Sequence, residues 1–531
     1  MRPRGPATAV ALPIVVLVAL LVGYPLFRLG QVLWQEGDGD LARVLDPAGL
    51  GEALRSTVLL AAAVTVTAVP LGTGLALVLR HGDLPGRTVL RIAVLLPIAV
   101  PDFVLGYSWT QAYARGGFTD SVLGVHWAGL LGQAGRHDEV DDRGGVHHED
   151  QPDAGPATTL LTVTLRLLLP SLAAAAVLVF VLTLASFAIP QVLGTPAGFT
   201  TMATHIYADL SRGGDPASFL SAVTLALLLV LVTAVLVAPT DALLGPRLRS
   251  SRSASPQGTT AAPGRPAARR AQALGVAGYL VLTVGIPLAA LVLSSVTRAI
   301  GVPPTPDNWT LGHFRQVLTP RTAEALGHSL ALAVAAGTLL VVLGGLVAVL
   351  ERRRTGRTAA TLITLTLVLP GSALAVGLLL AYGRWLSGTL ALILLAYLAK
   401  LWAFAHRPIA GALDRLPPDE LRAGRASGAG PLTAVRTVAL RPLAPALAAA
   451  WLVCFVTALH EVTMSSLLYG PGSETLAVVV LNSEELGRIG PTAALSVLLS
   501  VLVVVPGVLL WWVGSRARTR GAGPVEVPRA G

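Results

Sequence analysis

The stretch AGPATTLLTVTLRLLLPSL at residues 154–172 closely resembles AGPLTAVRTVALRPLAPAL at residues 429–447. The two stretches lie 275 positions apart, and at the same offset Phe180 corresponds to Phe455. The matched positions include Gly, Pro and Arg as well as apolar residues. They therefore indicate an internal repeat in which each unit occupies about half of the chain.

The composition is that of a chain whose main solvent is lipid. Of its 531 residues, 53% are apolar and only 13% are charged, and the mean hydropathy is +0.69. These values exclude a soluble protein of ordinary composition. Eleven segments are apolar enough, and at about 20 residues long enough, to cross a bilayer. They are Ala9–Leu26, Thr57–Leu79, Thr88–Tyr107, Leu172–Val192, Ala217–Leu244, Leu274–Leu293, His328–Leu350, Ala359–Tyr382, Leu386–Phe404, Leu443–Thr463 and Ala493–Val513.

The arginines behind the net charge of +10 are concentrated in alternate loops. The arginine-rich segments are Arg2 and Arg4, Arg80–Arg91, Arg247–Arg270, Arg352–Arg357, Arg407–Arg441 and Arg516–Arg520. Because cytoplasmic loops carry the excess of Lys and Arg, both termini are predicted to be cytoplasmic in a multi-pass protein of the plasma or inner membrane. Charge segregated in this way favours a lipid environment and gives no indication of nucleic-acid binding.

A Ser-, Pro-, Ala- and Arg-rich stretch divides the chain near its midpoint. Such a composition predicts a flexible cytoplasmic linker at residues 247–272, between a first half at 1–246 and a second half at 273–531. Because the related loops lie on the same side of the membrane, the two repeats should be parallel and form a pseudo-dimer. The predicted fold class is an all-α polytopic membrane protein with about 11 to 12 transmembrane helices.

The segment LPPDELRAGRASGAGPLTAVRTVALRPLAPAL, Leu416–Leu447, has the features of a compact protrusion. Proline and acidic residues precede a short helix, where the helix dipole favours negative charge. Small residues then allow close approach, and Gly428–Pro431 interrupts the chain before a second helix. Such a protrusion can dock in a groove of another protein and pass rigid-body motion to the attached helices.

This segment resembles the coupling loop of binding-protein-dependent importer permeases, whose pattern is Glu-Ala-Ala, three residues, Gly, nine residues, Ile-x-Leu-Pro. It departs from that pattern at Arg422, where glutamate is expected, and at Arg441, where proline is expected. The resemblance marks as ATPase-coupling residues Glu420, Ala423, Gly424, Gly428, Ala429, Gly430, Pro431, Val438 and Leu440, and in the first half Ala154, Gly155, Pro156, Val163 and Leu165.

The resemblance covers essentially the whole chain and is closest to fused permeases of the ferric-iron class, with thiamine and phosphonate permeases similar. It implies two halves of the MetI-like permease fold around a substrate pathway. It also implies two copies of an ABC ATPase subunit on the coupling loops and an extracytoplasmic substrate-binding protein. ATP would be bound by the ATPases, and this chain would bind no cofactor. In agreement, the only lysine, Lys400, is not part of a GxxxxGK[ST] loop.

The repeat fails just before Ala154. The first half has the polar stretch GQAGRHDEVDDRGGVHHEDQPD there. The apolar run before it, Val122–Leu131, is too short to cross the membrane. One membrane crossing is therefore missing near 122–153. An out-of-frame or damaged segment is the favoured explanation, because the family pattern stops and restarts abruptly. A disordered insertion and a metal-binding loop remain open. The potential ligands, which lack a defined spacing, are His137, Asp138, Glu139, Asp141, Asp142, His147, His148, Glu149 and Asp150.

Ionisable groups within apolar segments are costly and mark candidate pathway residues. His460 and Glu461, in FVTALHEVTMSS, form the clearest pair, and Ser186 occupies the position matching Glu461 in the first half. A carboxylate held by loop amides is an equally good explanation of Glu461. For Asp102, in LPIAVPDFVLGYSW, turn capping by the Pro-Asp pair is favoured over a pathway role.

The function indicated is the membrane-spanning permease subunit of an ATP-driven importer for ferric iron or another small solute. An enzyme is not expected, because the cytoplasmic side has no Ser/His/Asp, Cys/His or paired-carboxylate arrangement. Two alternatives stay open. One is an ion-gradient-driven secondary transporter with two parallel halves, and the other is an inactive, frameshifted permease.

Overall fold

The computed structural model describes residues 6–36, 47–80, 84–114, 116–122, 124, 165–212, 215–251, 266–299, 305–351, 366, 369–416 and 440–521. Within these ranges the chain is helical apart from turns, connecting segments and a single bridge that pairs Thr297 with Trp309. This confirms the predicted all-α fold class. The predicted linker 247–272 is helical at both ends, where its Ala- and Arg-rich sequence has high helix propensity. Its centre, 252–265, lies outside the described residues.

The helices of the first half follow the order expected for one permease unit. They are α1 (Pro6–Val18), α2 (Tyr24–Glu36), α3 (Pro47–Arg80), α4 (Arg87–Ala99), α5 (Asp102–Tyr113), α6 (Phe118–Val122), α7 (Leu165–Leu184), α8 (Met202–Ser211) and α9 (Pro216–Ser251). A π turn at Ala19–Gly23 joins α1 to α2.

The described helices of the second half form a similar series. They are α10 (Pro266–Leu280), α11 (Ile286–Val296), α12 (Gly312–Val317), α13 (Pro320–Glu351), α14 (Gly371–Leu386), α15 (Leu390–Lys400), α16 (Trp402–Asp414), α17 (Leu440–Leu459), α18 (Thr463–Leu468), α19 (Leu476–Glu485) and α20 (Ile489–Gly521). The series includes a bent pair, α15 and α16, and two short helices, α12 and α18. The end of the bundle that carries α8 and α19 is called the hairpin end below.

Each of the eleven predicted spans overlaps a helix or a bent helix pair. Seven helices of the described residues are long and apolar enough to cross a membrane on their own. Two bent pairs, α4 with α5 and α15 with α16, bring the number to nine, and Leu168–Leu184 and Gly371–Leu386 are shorter apolar helices. The α15–α16 pair bends by 42°. Taken as one span it runs from Leu390 to Asp414, so it ends further along the chain than the span predicted at Leu386–Phe404.

A matching π turn interrupts the first span of each half. The turns, Ala19–Gly23 and Val281–Gly285, are each followed two residues later by a proline, Pro25 or Pro287. Proline has no N–H, so the carbonyl five positions before it, Leu20 or Leu282, loses its donor within the π turn. The Tyr382 hydroxyl donates to Leu20 O at 2.7 Å, and the Tyr113 hydroxyl donates to Leu282 O.

These two hydrogen bonds cross between the halves in a symmetric way. Tyr382 is on α14 of the second half and binds the first span of the first half. Tyr113 is on α5 of the first half and binds the first span of the second half. The helix pairs α2–α14 and α5–α11 are correspondingly in contact. Each half therefore packs its first span against the third span of the other half, which is the arrangement expected of a parallel pseudo-dimer.

A shared apolar core lies where the halves meet. Val104 and Phe187 of the first half pack in one cluster with Leu291 and Val480 of the second. Gly377 on α14 lies so close to α2 that an added Cβ would be 3.0 Å from Pro25 O. The two halves are thus interlocked and share one interior.

Candidate substrate pathway

Most of the predicted coupling residues lie outside the described residues. These are Glu420, Ala423, Gly424, Gly428, Ala429, Gly430, Pro431, Val438, Ala154, Gly155, Pro156 and Val163. The two that are described, Leu165 and Leu440, are the first residues of α7 and α17. Both helices are 20 residues long and begin at the repeat offset of 275, so the two predicted loops lead into equivalent helices.

In the second half the coupling loop connects two helices that are packed against a third. Ile409 and Leu413 of α16 form one cluster with Leu443 of α17 and Ala348 of α13. Gly344 allows this contact, because a Cβ there would lie 3.0 Å from the backbone N of His406. His406 Nε2 also lies 3.0 Å from the carboxylate of Glu351 at the end of α13. The loop therefore starts and ends on a tightly packed three-helix base.

The segment in which the first half breaks its repeat is also not described. Residues 125–164 include all of the potential metal ligands between His137 and Asp150, together with the missing crossing. The three explanations for this segment therefore stay predictions. Among the residues that the structure does describe, no group of three or more His, Cys, Asp or Glu residues could hold a metal ion.

Glu461 is held by the backbone of the helix that follows it. Its carboxylate accepts hydrogen bonds from the N–H groups of Met464 and Ser465 at 2.9–3.0 Å and from Ser465 Oγ at 3.1 Å. Tyr397 OH is in turn 2.7 Å from Ser465 Oγ. This geometry is that of a buried cap for α18, which matches the loop-amide explanation and leaves few lone pairs for a solute.

Lys400 supplies the positive charge next to this cap. Its ammonium group donates to the carbonyl of Leu369, just before α14 begins, and it interacts electrostatically with Glu461. A lysine placed among apolar helices requires such partners, because an isolated charge there is very costly. Lys400 and Glu461 thereby join the ends of α15, α14 and α17.

His460, a candidate pathway residue of the second half, interacts with a residue of the first half. It interacts electrostatically with Asp102, which is exposed at the first position of α5 after Pro101. Asp102 therefore lies next to the turn at Pro101, and the turn capping predicted for the Pro101-Asp102 pair stays a prediction. Ser186 occupies the turn after α7 that corresponds to the turn of Glu461 after α17. The two positions are structurally equivalent and chemically different.

A polar cluster at the hairpin end joins α8 to α19. Gln191 donates its amide N–H to Glu485 at 3.3 Å, and Tyr207 on α8 also interacts with Glu485. Burial, and then the neighbouring charge of Glu485, raises the pKa of Glu484 to about 7. Burial likewise raises the pKa of Glu485, opposed by its interactions with Tyr207 and Gln191. Both carboxyl groups therefore hold a proton more strongly than a free glutamate does, and this pair between the halves is called the acidic mouth below.

Sequence reasoning missed Lys400, Glu484 and Glu485 as candidate site residues. Lys400 had a readable signal, because a lysine in the apolar run AYLAKLWAF is a functional candidate by default. The two glutamates lie in an ordinary loop-like sequence, LNSEELGR, with no signal of its own. Only the packing of α19 against the first half shows that Glu485 faces Gln191 and Tyr207, and that Glu484 lies beside Glu485.

The family of binding-protein-dependent transport system inner membrane components matches residues 340–519. This region runs from within α13 through α20 and includes the predicted coupling loop. The match therefore lies in the second half and includes the helices on both sides of the predicted coupling loop.

Relatives extend the similarity to nearly the whole chain. An ABC transporter permease of Sinorhizobium fredii is 25% identical over 502 residues, which cover 86% of this chain and 85% of the relative. An Fe(3+)-transport system permease of Haemophilus influenzae is 23% identical over 491 residues, covering 87% and 91%.

A 2-aminoethylphosphonate transport system permease of Salmonella typhimurium is 27% identical over 228 residues, covering 41% of this chain and 85% of the relative. Most of a shorter permease thus corresponds to less than half of this chain. Together with the symmetric helix order, these similarities support a fused, two-half permease of the binding-protein-dependent ABC importer class, and the relatives are transport permeases, a family that is not enzymatic.

Proposed function

We propose that this chain forms the substrate pathway of an ATP-driven importer and is coupled to two ABC ATPase subunits. The coupling surfaces would be the loops around 154–172 and 416–447, on the cytoplasmic side with both termini. The hairpin end would then face outward, toward an extracytoplasmic binding protein that delivers the solute. ATP would be hydrolysed on the partner subunits, and this chain would hold no cofactor.

The observation that best supports coupling is the rigid base of the second-half loop. Helices α16 and α17 leave and enter the loop while packed on each other and on α13. A displacement of the loop is therefore passed to α17 as a rigid body. At the other end of α17, Glu461 caps α18 and interacts with Lys400. Loop movement can thus shift the polar groups between the halves and alternate access to the pathway.

The acidic mouth supports a cationic substrate. Glu484 and Glu485 repel each other, and no ion pair joins either to an Arg or Lys in the part of the chain that is described. A passing cation would relieve this repulsion. Ferric iron, the solute named for one of the relatives, fits this charge, so we propose ferric iron or another small cation as the transported solute.

Coupling can be tested by co-purifying the chain with candidate ATPase subunits. The native chain should retain the ATPase, and Gly428→Glu should lose it, because a bulky charge would occupy the docking surface. Gly258→Glu, the same substitution in the predicted linker on the same side, should retain it. If the native chain binds no ATPase, or if Gly428→Glu binds as well as Gly258→Glu, coupling through this loop is wrong.

Transport can be tested in vesicles that contain the permease, the ATPase and the binding protein. Uptake of radioactive ferric iron should require ATP inside and should fall in the double variant Glu484→Gln/Glu485→Gln. Uptake driven by an ion gradient without ATP would favour the secondary-transporter alternative. Absence of uptake for any solute tested would favour an inactive permease.

A further inference from the structure

A cavity of about 250 Å³ lies at the hairpin end, away from the Lys400–Glu461 pair. One wall comes from the first half, between Gln111 and Val122. The other comes from the second half, at the end of α11, at His313 of α12 and at the turn Gly487–Gly490 before α20. Both halves are therefore needed to form it, and the importer function gives it no role.

Gln111 lines this cavity near the end of α5. The residue as a whole is only 9% exposed. Within the described ranges its side-chain amide makes no hydrogen bond, so both its N–H groups and its carbonyl oxygen are available to a polar ligand in the cavity.

The charge lining the cavity is positive. Arg298, at the end of α11, is exposed and pairs with none of the described carboxylates. Asp120, which lies between lining residues of the first half, accepts a hydrogen bond from the N–H of Gly116 at 3.0 Å. Arginine presents a planar set of donors that matches phosphate and carboxylate oxygens, usually in pairs of hydrogen bonds.

His313 closes this side of the cavity in a fixed orientation. Its Nε2–H donates to Thr297 O at 2.9 Å, and its Nδ1 is buried without a partner. The ring lies directly over Gly490, where an added Cβ would be 2.3 Å from Cε1. The imidazole is therefore held against the turn before α20, where it limits the width of the cavity.

We propose that this cavity is a binding site for a phosphate-class oxyanion, held by Arg298 and Gln111 with His313 beside it. The volume accommodates a phosphate group with a small substituent. The anion can come from either of two sources, the headgroup of a phospholipid or free inorganic phosphate. Phe118, Val122 and Leu293 at the wall would suit the glycerol end of a lipid, and the exposed Trp309 is of the type found at membrane interfaces.

The test uses the full chain in nanodiscs with four variants. Arg298→Gln removes the charge and keeps most of the stem, Gln111→Glu preserves shape and places a negative charge in the cavity, and Gly490→Ala displaces the His313 ring. Arg315→Gln on α12 is the matched control, because Arg315 is also an exposed arginine at this end but does not line the cavity.

Two binding measurements are made on each protein. One is the affinity for inorganic phosphate in phosphatidylcholine nanodiscs. The other is the retention of phosphatidylglycerol, by native mass spectrometry, from nanodiscs that contain both lipids. Arg298→Gln and Gln111→Glu should weaken binding about tenfold or more, which is the loss of one hydrogen bond to a charged group. Gly490→Ala should weaken it less, and Arg315→Gln should match the native chain.

Each outcome has a defined meaning. If only phosphatidylglycerol retention depends on Arg298 and Gln111, the site takes a lipid headgroup, and if only phosphate affinity does, it takes the free oxyanion. If the native chain binds neither probe, or if the variants and Arg315→Gln bind alike, the proposal is wrong. Near-native helical circular dichroism of Gln111→Glu is the check that its loss of binding is not unfolding. Neither measurement requires the ATPase, so failure here is distinct from failure of the importer function.

Discussion

The two halves hold their short helices at the hairpin end by the same hydrogen bond, but the second half adds an ionic one. In the first half Met202 N–H donates to Thr57 Oγ1 on α3, and in the second Leu476 N–H donates to Ser329 Oγ on α13, both at 2.8 Å. Among the described residues the second half also joins α13 to the start of α19 by a salt bridge between Arg321 and Glu474, whereas Arg212 and Asp209 of the first half pair locally at the end of α8. The shared hydrogen bond holds the first residue of the short helix in each half, α8 or α19. The Arg321–Glu474 salt bridge is an additional contact in the second half.

The long helices α3 and α13 differ more strongly. Only 6% of the most apolar part of α3 is buried, compared with 44% for α13. Helix α13 is covered by α16 and α17, whereas among the described residues α3 packs mainly against the α17 counterpart, α7. In lipid an uncovered apolar helix carries no hydrophobic penalty, so the low burial of α3 is compatible with a stable span.

The largest effect is expected at the electrostatic interaction between Lys400 and Glu461. The first half has no equivalent of it, because Ser186 replaces the glutamate there. Lys400→Met should lower the free energy of unfolding by about 2–4 kcal/mol, since it leaves a carboxylate among the helices without its counter-charge. The measurement is unfolding in mixed micelles. The double variant Lys400→Met/Glu461→Gln should recover part of the loss. No loss in the single variant would contradict the pairing.

The crossed tyrosine bonds test how symmetric the halves are. Tyr382→Phe and Tyr113→Phe should each destabilise by about 0.6–1.7 kcal/mol, the range for hydrogen bonds between membrane helices, because each leaves a carbonyl of a π turn without a donor. The two losses should be similar in micelle unfolding. Tyr279→Phe is the control, since this tyrosine lies on α10 outside both crossed bonds. A large loss for one variant alone would mean that only one crossing is structural.

The shared hairpin bond should be worth about the same in both halves. Thr57→Val and Ser329→Ala should each cost about 0.5–1.5 kcal/mol, because each leaves the first N–H of a short helix unpaired. Limited proteolysis at the hairpin end offers a local readout beside the unfolding measurement. Because Arg321 and Glu474 remain as a second anchor, α19 should stay better protected than α8. Equal loss of protection would show that the salt bridge adds nothing.

The last prediction is a pH dependence that comes from Glu484 of the second half. The pKa of Glu484 is raised to about 7 in the folded protein, so the folded state keeps a proton that the unfolded chain releases near its ordinary value. The free energy of unfolding should therefore fall as pH rises from about 4.5 to about 7. Glu484→Gln should flatten this fall in thermal unfolding, whereas Glu324→Gln, an exposed carboxylate on α13, should not.

The apolar segments, the repeat and the family resemblance were readable from the sequence because each depends on local pattern. About 20 apolar residues must become a helix in lipid, where every backbone group has to be paired within the segment. The segment of α17 that begins at Leu440 could be matched to that of α7 at Leu165 by comparing letters. The same comparison could have matched the VGxPL motifs at 22–26 and 284–288, which form the two π turns.

Only the tertiary structure shows which half supplies the interaction partner of a given polar side chain. Nothing in the sequence around Tyr382 indicates that it binds Leu20, or that Glu485 meets Tyr207, since these contacts cross between the halves. It also decided the role of Glu461, because a carboxylate near the end of a span can line a pathway or cap the next helix. The sequence fixes which residues must leave water, and packing fixes which of the polar groups among them find each other.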